Sequence, residues 1–192
     1  MILRDAKIED CETVARGICM ALHREPDGEM QKCIARICER EDVLYSYKHT
    51  IVAWEDDAPI GICLCYDGAK YHDMRKITFQ LFDELMHDDA DHENMDLDNM
   101  QDEAEAGEYY MDSLAVWPEW RGRGIGMKLM QAQIERAREL GFNKATLLVD
   151  PENEYAKRVY RKLGFMDFSE VYAFGQIFWK WVKKIEPRNL TK

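Results

Sequence analysis

One stretch, residues 109–126, limits what this chain can fold into more than any other part of the sequence. It begins with a short apolar run, residues 111–116, which Pro118 stops, and this pattern predicts a buried strand. Three glycines follow at every second position, and apolar residues beyond them recur at the spacing of one helix face. That stripe consists of Met127, Met130, Ile134 and Ala137. The stretch therefore predicts a strand, a glycine-rich turn and a helix in direct succession.

The turn has the composition of an anion-binding site. Gly122, Gly124 and Gly126 carry no Cβ atoms, so a ligand is able to approach the backbone closely. The first turn of the following helix leaves backbone N–H groups unpaired, and these groups carry the positive end of the helix dipole. Arg121 and Arg123 add two guanidinium groups, each able to bind phosphate oxygens in pairs. The turn is therefore predicted to bind phosphate.

Two common nucleotide-binding motifs do not fit these residues. The dinucleotide fingerprint requires G-x-G-x-x-G, whereas this turn reads G-x-G-x-G, and the P-loop requires a Gly-Lys-Ser/Thr ending that the turn lacks. The residues from Arg121 to Gly126 have instead the pattern R-x-x-G-x-G, directly after a strand. This pattern resembles the acyl-CoA pyrophosphate loop of the GNAT superfamily of N-acyltransferases.

A second motif strengthens that resemblance. Another apolar strand is predicted over residues 145–149, and the residues after it follow the family's order and spacing. They are Asn153, Ala156, Tyr160, Gly164 and Phe165. The two motifs together span residues 109–165, so the chain is similar to the acyl-CoA-dependent N-acetyltransferases of the GNAT superfamily. The resemblance implies an α/β GNAT fold, with a mixed, mostly antiparallel central sheet flanked by helices.

The rest of the chain is consistent with that order of elements. Periodicity predicts strands over residues 2–6, 49–54, 59–66, 165–171 and 176–182, and helices over residues 8–22, 28–40 and 70–86. Asp150 and Pro151 together predict the first residues of the helix that contains Tyr160. The length of 192 residues fits a single domain, residues 1–186, followed by a short tail, residues 187–192.

Charge and cysteine usage limit the compartment of the chain. The N-terminus carries charge where a signal peptide requires an apolar run, and no stretch reaches the roughly 18 apolar residues of a membrane span. A cytoplasmic location is therefore expected, with all six cysteines reduced and packed as small apolar residues. Cys63 and Cys65 share one strand face and are the alternative candidates for a metal. The cysteines and histidines otherwise lack metal-binding spacings, so we expect no metal.

The net charge of −11 is concentrated in one segment. Residues 83–108 contain twelve of the 37 acidic residues and no Lys or Arg, which leaves 25 acidic residues beside 26 basic ones elsewhere. GNAT members usually connect the corresponding strands by a short turn, so this segment is predicted to be an insertion. One hypothesis is that its charge steers a cationic amine toward the neighbouring strand. The alternative is a solvated, partly disordered insertion without such a role.

The resemblance also implies which residues bind acetyl-CoA, the expected co-substrate. In the family, the strand before the loop splays away from the next strand, and its open edge offers backbone N–H groups to the pantetheine arm and the thioester carbonyl. In this chain that edge is Leu114, Ala115 and Val116. The pyrophosphate is expected at Arg121, Gly122, Arg123, Gly124, Ile125 and Gly126. Asn153 is expected toward the cofactor arm or, alternatively, as a helix cap.

Three side chains are candidates for the chemistry of acetyl transfer. By the resemblance, Tyr160 is expected to stabilise or protonate the leaving thiolate, and the alternative is a core tyrosine on the buried face of its helix. Glu108 and Asp112 are the candidates for the general base that deprotonates the amine, either directly or through water. A solvated carboxylate at a strand end is the alternative role for each of them.

The resemblance implies an N-acetyltransferase that moves an acetyl group from acetyl-CoA to a primary amine by direct transfer. One alternative is a CoA-binding sensor or regulatory module without turnover, and another is a general phosphate-binding interaction domain. The expected acceptor is a small-molecule or peptide amine, cationic if the acidic segment steers it. The acidic balance of the chain argues against a nucleic-acid partner. We expect no membrane partner, and a homodimer is left open.

Overall fold

The strands of the protein belong to one sheet in a computed structural model that describes residues 1–26, 28–86, 101–173 and 175–187. The strands are β1 Ile2–Asp5, β2 Thr50–Glu55, β3 Ala58–Asp67, β4 Tyr109–Val116, β5 Lys144–Val149, β6 Met166–Ala173 and β7 Gln176–Lys184. The α-helices are α1 Cys11–Ala21, α2 Glu29–Cys38, α3 Tyr71–Leu85, α4 Ile125–Glu139 and α5 Glu154–Lys162.

The sheet is mixed, as the sequence predicted. Within the described ranges its strands lie in the order β1-β2-β3-β4-β5-β7-β6. The pair β4–β5 is parallel, and every other neighbouring pair is antiparallel. The crossover between the two parallel strands is α4, because parallel neighbours need a long connection. The prediction of a mixed, mostly antiparallel sheet flanked by helices is confirmed.

Helices cover both faces of the sheet. The face packed against α1, α2 and α3, here called the α1–α3 face, has a core that includes Ile18 and Ile34. The opposite face, here called the α4–α5 face, has a core that includes Leu129, Ile134 and Trp181. The helices contribute apolar residues to these two cores, which is why a period near 3.6 in the sequence predicted them.

The two parallel strands separate along their length. They pair at Tyr109 and Tyr110 of β4, and the described residues show no pairing between them beyond Tyr110. β4 nevertheless stays paired with β3, and β5 with β7, as far as their last residues. The sheet therefore opens between residues 111–116 and residues 147–149, and this opening is called the splay below.

A β-bulge lies where the splay begins. Leu64 of β3 pairs with Ser113, and the next residue, Cys65, pairs with Met111, so Asp112 is an extra residue of β4. A bulge bends its strand and turns the extra side chain to a new direction. Asp112 consequently stands at the border of the splay, two residues beyond the last residue of β4 that pairs with β5.

One predicted helix start is wrong. α5 begins at Glu154, and not at Asp150 with Pro151. The cap is Asn153, whose side-chain oxygen accepts a hydrogen bond of 3.0 Å from the backbone N–H of Ala156. Asp150 accepts instead from the backbone N–H that lies two residues after it, at 2.8 Å, and so closes a turn before the helix. The Asp-Pro pair is thus a turn signal and not a helix start.

The acidic segment is described at both of its ends. Its first residues complete α3, and the chain is described again from Gln101, whereas residues 87–100 and 188–192 lie outside the described residues. From Gln101 the chain runs back to β4 along α3. Asp102 forms an ion pair of 3.1 Å with the buried Arg75 of α3, and the backbone carbonyl of Glu108 accepts from Gly68. The returning end of the acidic segment is therefore fixed to α3 and to Gly68, the residue after β3.

Candidate active site

The glycine-rich turn presents an open stretch of backbone at the start of α4. Gly122 and Gly124 adopt left-handed φ angles of 77° and 74°, a region that favours glycine. A Cβ atom built on either residue meets no described atom within 4 Å, so the space above the backbone is free. Gly124 is the N-cap of the helix and supplies no side chain to the first N–H groups. These groups face the same open space and attract anions.

The two arginines of the turn flank this space. Arg121 donates from Nε to the carbonyl of Val116 at 3.1 Å, which ties the turn to the last residue of β4. Arg123 donates to the carbonyl of Glu119 at 3.3 Å and lies 4.6 Å from the ring centroid of Trp120. Both side chains are exposed, and a guanidinium has more donors than these contacts use. The arginines are therefore positioned and still able to bind an anion.

The open edge of β4 lies directly beside the turn. A Cβ atom built on Gly126 would lie 3.7 Å from methyl groups of Leu114 and Val116, so the first turn of α4 packs against the end of β4. Leu114 and Val116 are partly exposed, while Ala115 between them is buried on the α1–α3 face. The structure thus joins the turn to residues 114–116, which the sequence grouped as one binding region.

Tyr160 lies on the α4–α5 face of the sheet. Its ring packs against Phe165 and Trp181, with centroid distances of 6.2 and 6.3 Å. Burial and the neighbouring Cys63 thiol raise the pKa of Tyr160 to about 12. The residue is only partly buried, so Tyr160 packs against the core without being fully enclosed by it. At neutral pH its hydroxyl keeps its proton and is able to donate a hydrogen bond.

Asn153 uses its side-chain oxygen, but not its side-chain nitrogen, to cap α5. Its Oδ1 holds the start of α5, whereas its side-chain amide N–H groups have no role in that cap. Residues 153 and 154 are exposed and follow β5 at the far end of the splay. Asn153 therefore fits the cap alternative, and its amide donors stay available for a ligand.

Glu108 is a buried carboxylate at the closed end of the splay. Lys180 of β7 and Lys144 of β5 lie 2.7 and 3.2 Å from it, and the hydroxyl of Thr146 lies at 3.2 Å. Burial by itself raises the pKa of a carboxyl group, but the hydrogen bond and charge of Lys180, with further donors, leave the pKa of Glu108 below its usual value. This carboxylate stays ionised and joins three strands, which makes it a poor proton acceptor.

Asp112 has a different set of partners. It accepts a hydrogen bond of 2.6 Å from the hydroxyl of Tyr66 and one of 2.7 Å from the hydroxyl of Ser113. Burial raises the pKa of Asp112, and these two hydrogen bonds offset only part of the rise. Its hydrogen-bond donors carry no positive charge, so they do not stabilise the ionised form as the lysines at Glu108 do. Of the two candidate bases, Asp112 is therefore the one with the raised pKa.

Glu103, a residue that the sequence did not single out, lies in the same group of side chains. Tyr71 and Tyr110 donate to its two carboxylate oxygens at 2.6 and 2.5 Å. Burial and the charge of Asp112 raise the pKa of Glu103. In the sequence it is one of the twelve acidic residues of residues 83–108. Nothing in the sequence distinguishes Glu103 from the other acidic residues of the segment as the one that contacts Tyr71 and Tyr110.

The predicted residues thus fall into two groups, one on each face of the sheet. Asp112 belongs to the α1–α3 face through its bond to the buried Tyr66, whereas Tyr160 and the glycine turn belong to the α4–α5 face. Residues 111–116 form one edge of the splay, so Asp112 lies on that edge and the glycine turn follows it in the chain. Glu108 lies outside this arrangement, below the last pairs of β4 and β5.

The structure also bears on metals and membranes. Over the ranges it describes, no group of three or more His, Cys, Asp or Glu residues is placed to hold a metal ion. Cys63 and Cys65 are buried free cysteines with their sulfur atoms 3.6 Å apart. In the same described ranges, none of the helices has the length and apolar character needed to cross a membrane.

Comparison with protein families and with other sequences gives a consistent result. The model of the acetyltransferase (GNAT) family matches residues 18–165. An L-methionine sulfoximine/L-methionine sulfone acetyltransferase of Pseudomonas aeruginosa is 34% identical over 70 residues, which are 36% of this chain and 41% of that protein. The chain therefore spans about two fifths of the length of this curated relative.

Solved structures resemble the chain over nearly its whole length. One crystal structure, described as that of an acetyltransferase, has a TM-score of 0.78 and 25% identity, and covers 97% of this chain and 100% of its own. A Salmonella typhimurium protein, solved with its cofactor acetyl-CoA, has a TM-score of 0.60 and 16% identity. It covers 100% of this chain and 98% of its own, and shows a shared fold.

Proposed function

Because this chain belongs to the GNAT family of acetyltransferases, we propose that it transfers an acetyl group from acetyl-CoA to a primary amine. The observation that carries the proposal is that the open glycine turn lies directly beside the edge of β4 that does not pair with β5. A positive, side-chain-free turn suits a pyrophosphate, and an unpaired strand edge suits an extended amide-containing arm. Acetyl-CoA combines both parts in one molecule.

We assign the binding of acetyl-CoA to three parts of the chain. Gly122, Gly124 and the N–H groups of the first turn of α4 hold the pyrophosphate, with Arg121 and Arg123 as charged partners. Backbone groups of residues 114–116 pair with the arm and donate to the thioester oxygen, a contribution worth about 3 kcal/mol of barrier per donor. The amide N–H groups of Asn153 contact the arm from the opposite border of the splay.

The amine must lose a proton before it attacks. An alkyl ammonium has a pKa near 10, so only about a thousandth of it is neutral at pH 7. We assign the proton to Asp112, directly or through one water, because its carboxylate borders the splay and its pKa is raised. We do not assign this role to Glu108, because its lysine partners stabilise the ionised carboxylate.

Tyr160 is assigned to the leaving thiolate. Its pKa of about 12 lies about 3.5 units above that of a thiol, so complete proton transfer is uphill by about 5 kcal/mol. The hydroxyl therefore acts first as a hydrogen-bond donor to the developing thiolate. Acetyl-CoA supplies an activated acetyl group on a thioester, and the chain supplies the donor, the base and the oxyanion contacts. The amine forms the new C–N bond as the C–S bond breaks.

The acceptor is proposed to be a small-molecule amine that carries positive charge. A curated relative acetylates methionine derivatives, according to its name, which supports a small amine. The described residues on the α1–α3 side of the splay include the carboxylates of Glu103 and Asp112, and negative charge there favours a cationic acceptor. The steering hypothesis for the whole segment depends also on residues 87–100, which lie outside the described residues.

An amine-panel assay tests the proposed function. Purified protein is mixed with acetyl-CoA and each amine, and released thiol is followed; at least one amine should raise the rate above the rate without acceptor. Tyr160→Phe should then lower kcat by one to three decades, about 1.4–4 kcal/mol, with acetyl-CoA affinity unchanged. If thiol release never depends on the amine, the proposal of transfer is wrong. A Tyr160→Phe variant with full kcat would leave Tyr160 as a packing residue only.

A further inference from the structure

The insertion ends inside the group of side chains that surrounds Asp112. Glu103 is fixed there by two tyrosine hydroxyls, and the residue before it, Asp102, is ion-paired with Arg75 at 3.1 Å. Ala104, the residue after it, is buried in the core of the α1–α3 face. This end of the acidic segment is thus an integral part of the fold, and its position depends on specific contacts and not on charge alone.

Glu103 and Asp112 are linked through three tyrosines. Tyr66 donates to Asp112, and its ring lies 6.3 Å from that of Tyr71 and 5.8 Å from that of Tyr110, measured between centroids. Tyr71 and Tyr110 are the two donors to Glu103. All three rings are buried, at 2% exposure each, so none of them is free to change its orientation. Moving Glu103 would therefore disturb the ring that holds Asp112.

We propose that Glu103 is a positioning residue of the acceptor site, which holds Tyr71 and Tyr110 around Asp112 and places a second negative charge beside that carboxylate. The inference rests on the proposed function, because it takes Asp112 as the proton acceptor. The two carboxylates have different donors, but they lie in one group of packed tyrosines, and the charge of Asp112 raises the pKa of Glu103. Because the repulsion between two like charges is mutual, an ionised Glu103 also favours the protonated form of Asp112. An insertion that looks like a solvated loop would then set the working pH of the enzyme.

Other charged and titratable groups around the pair do not remove this coupling. They are Tyr45, Cys65, Tyr66 and Tyr110, which feel the charge of Asp112, His49, whose ring lies 5.4 Å from that of Tyr66, and Tyr71 and Arg75 of α3. Burial lowers the pKa of His49, so it adds no positive charge at neutral pH. Arg75 offsets part of the charge of Glu103 but is also bound to Asp102.

The pair can be tested without knowing the acceptor. The side-chain carboxyl carbons of the protein, labelled with 13C, are followed by NMR as the pH is changed, and the signals are assigned with Asp112→Asn and Glu103→Gln. In the unmodified protein, Asp112 should titrate above the ordinary midpoint of about 3.9. Each carbon should also report the titration of the other as a second inflection. Two independent single-step curves would overturn the proposal.

The variants then measure the effect of Glu103 on Asp112. Glu103→Gln keeps the size of the side chain and one of the two oxygens that accept from Tyr71 and Tyr110, and it removes the charge, so the Asp112 midpoint should fall by roughly one pH unit. Glu105→Gln is the matched control, because Glu105 is an exposed acid two residues along the same segment, and its removal should leave the midpoint unchanged. Equal shifts in the two variants, or none in either, would show that Glu103 does not position or tune Asp112.

The kinetic readout separates this inference from the proposed function. With the amine that gives the fastest thiol release, the acid limb of kcat/KM should move to lower pH in Glu103→Gln by the same amount, while the KM for acetyl-CoA is unchanged. An unmoved limb in an active variant would overturn the inference and leave acetyl transfer intact. If no amine is acetylated, the proposed function fails, although the titration of the carboxyl pair still decides whether the two groups are coupled.

Discussion

Two acidic residues, Glu108 directly before β4 and Asp112 within it, are four positions apart, and their surroundings give them opposite properties. At the closed end, Glu108 is held by Lys180 and Lys144, where β4, β5 and β7 meet. Where the splay begins, Asp112 stands on a bulge and accepts hydrogen bonds from the neutral hydroxyls of Tyr66 and Ser113. The pKa of Glu108 is lowered, whereas the pKa of Asp112 is raised.

The difference shows what decides the role of a buried carboxylate. Both groups lose hydration, which favours the protonated form, but only Glu108 has cations close enough to reverse that effect. Glu108 therefore contributes to the stability of the sheet, and Asp112 keeps the basicity that a proton acceptor needs. β4 thus pairs with β5 only at its first two residues, and its remaining residues form one edge of the splay.

The largest expected effect is that of Asp112→Asn on catalysis. Asparagine keeps one of the two oxygens that accept from Tyr66 and Ser113, and its amide does not accept a proton from the amine. We expect kcat/KM for the amine to fall by about two to four decades, with acetyl-CoA affinity preserved. Steady-state thiol release and calorimetry measure the two quantities. If kcat/KM of this variant equals that of the wild type, Asp112 is not the proton acceptor, and the functional difference from Glu108 is not supported.

The matching change at the closed end, Glu108→Gln, should affect stability. It leaves the charge of Lys180, which is 5% exposed, without its carboxylate partner, and breaking such a buried pair costs about 3–5 kcal/mol. Urea unfolding at pH 7 measures the loss, and Glu105→Gln, at an exposed site, is the control.

The pH dependence of that loss is also predicted. The pKa of Glu108 is lower in the folded protein, so its contribution is present above the unfolded value of about 4.3 and disappears as the pH falls through the folded value. The difference between Glu108→Gln and the wild type should therefore shrink in acid. A variant that is equally stable at pH 7 would show that the lysine contacts do not brace the sheet.

The smallest of these effects is expected in the glycine turn. Gly124→Val places a Cβ atom in the open space where we assign the pyrophosphate and strains a residue with a φ of 74°. We expect acetyl-CoA binding to weaken at least tenfold, about 1.4 kcal/mol, by titration calorimetry. Gly141→Val is the matched control, because Gly141 follows the same helix with a φ of 85° and equally free space. Equal losses in both variants would point to strain alone.

The sequence predicted those parts of the site that depend on local patterns. The strand, glycine turn and helix from residue 109 to 139 follow each other in the chain, and short-range spacing was enough to find them. The wrong start of α5 had a local cause as well, because Asp150 and Pro151 have the composition of a helix start and of a turn.

The choice between Glu108 and Asp112 was not available from the sequence. Lys180 is 72 positions from Glu108, and Tyr66 is 46 positions from Asp112, so the groups that set the two pKa values are brought close only by the fold. The bulge that places Asp112 leaves no periodic mark in the chain either. Glu103 was hidden for the same reason, since its donors, Tyr71 and Tyr110, belong to other elements.

Hydrogen exchange along β4 tests the central claim most directly. Acetyl-CoA is added to the unmodified protein, and amide exchange is followed by NMR for residues 109–116. The amides of residues 111–116 that face the splay should gain protection on binding, while Tyr109 and Tyr110, already paired with β5, should not change. Acetyl-CoA binding that leaves the amides of residues 111–116 unprotected would contradict the assignment of the splay as the site of transfer.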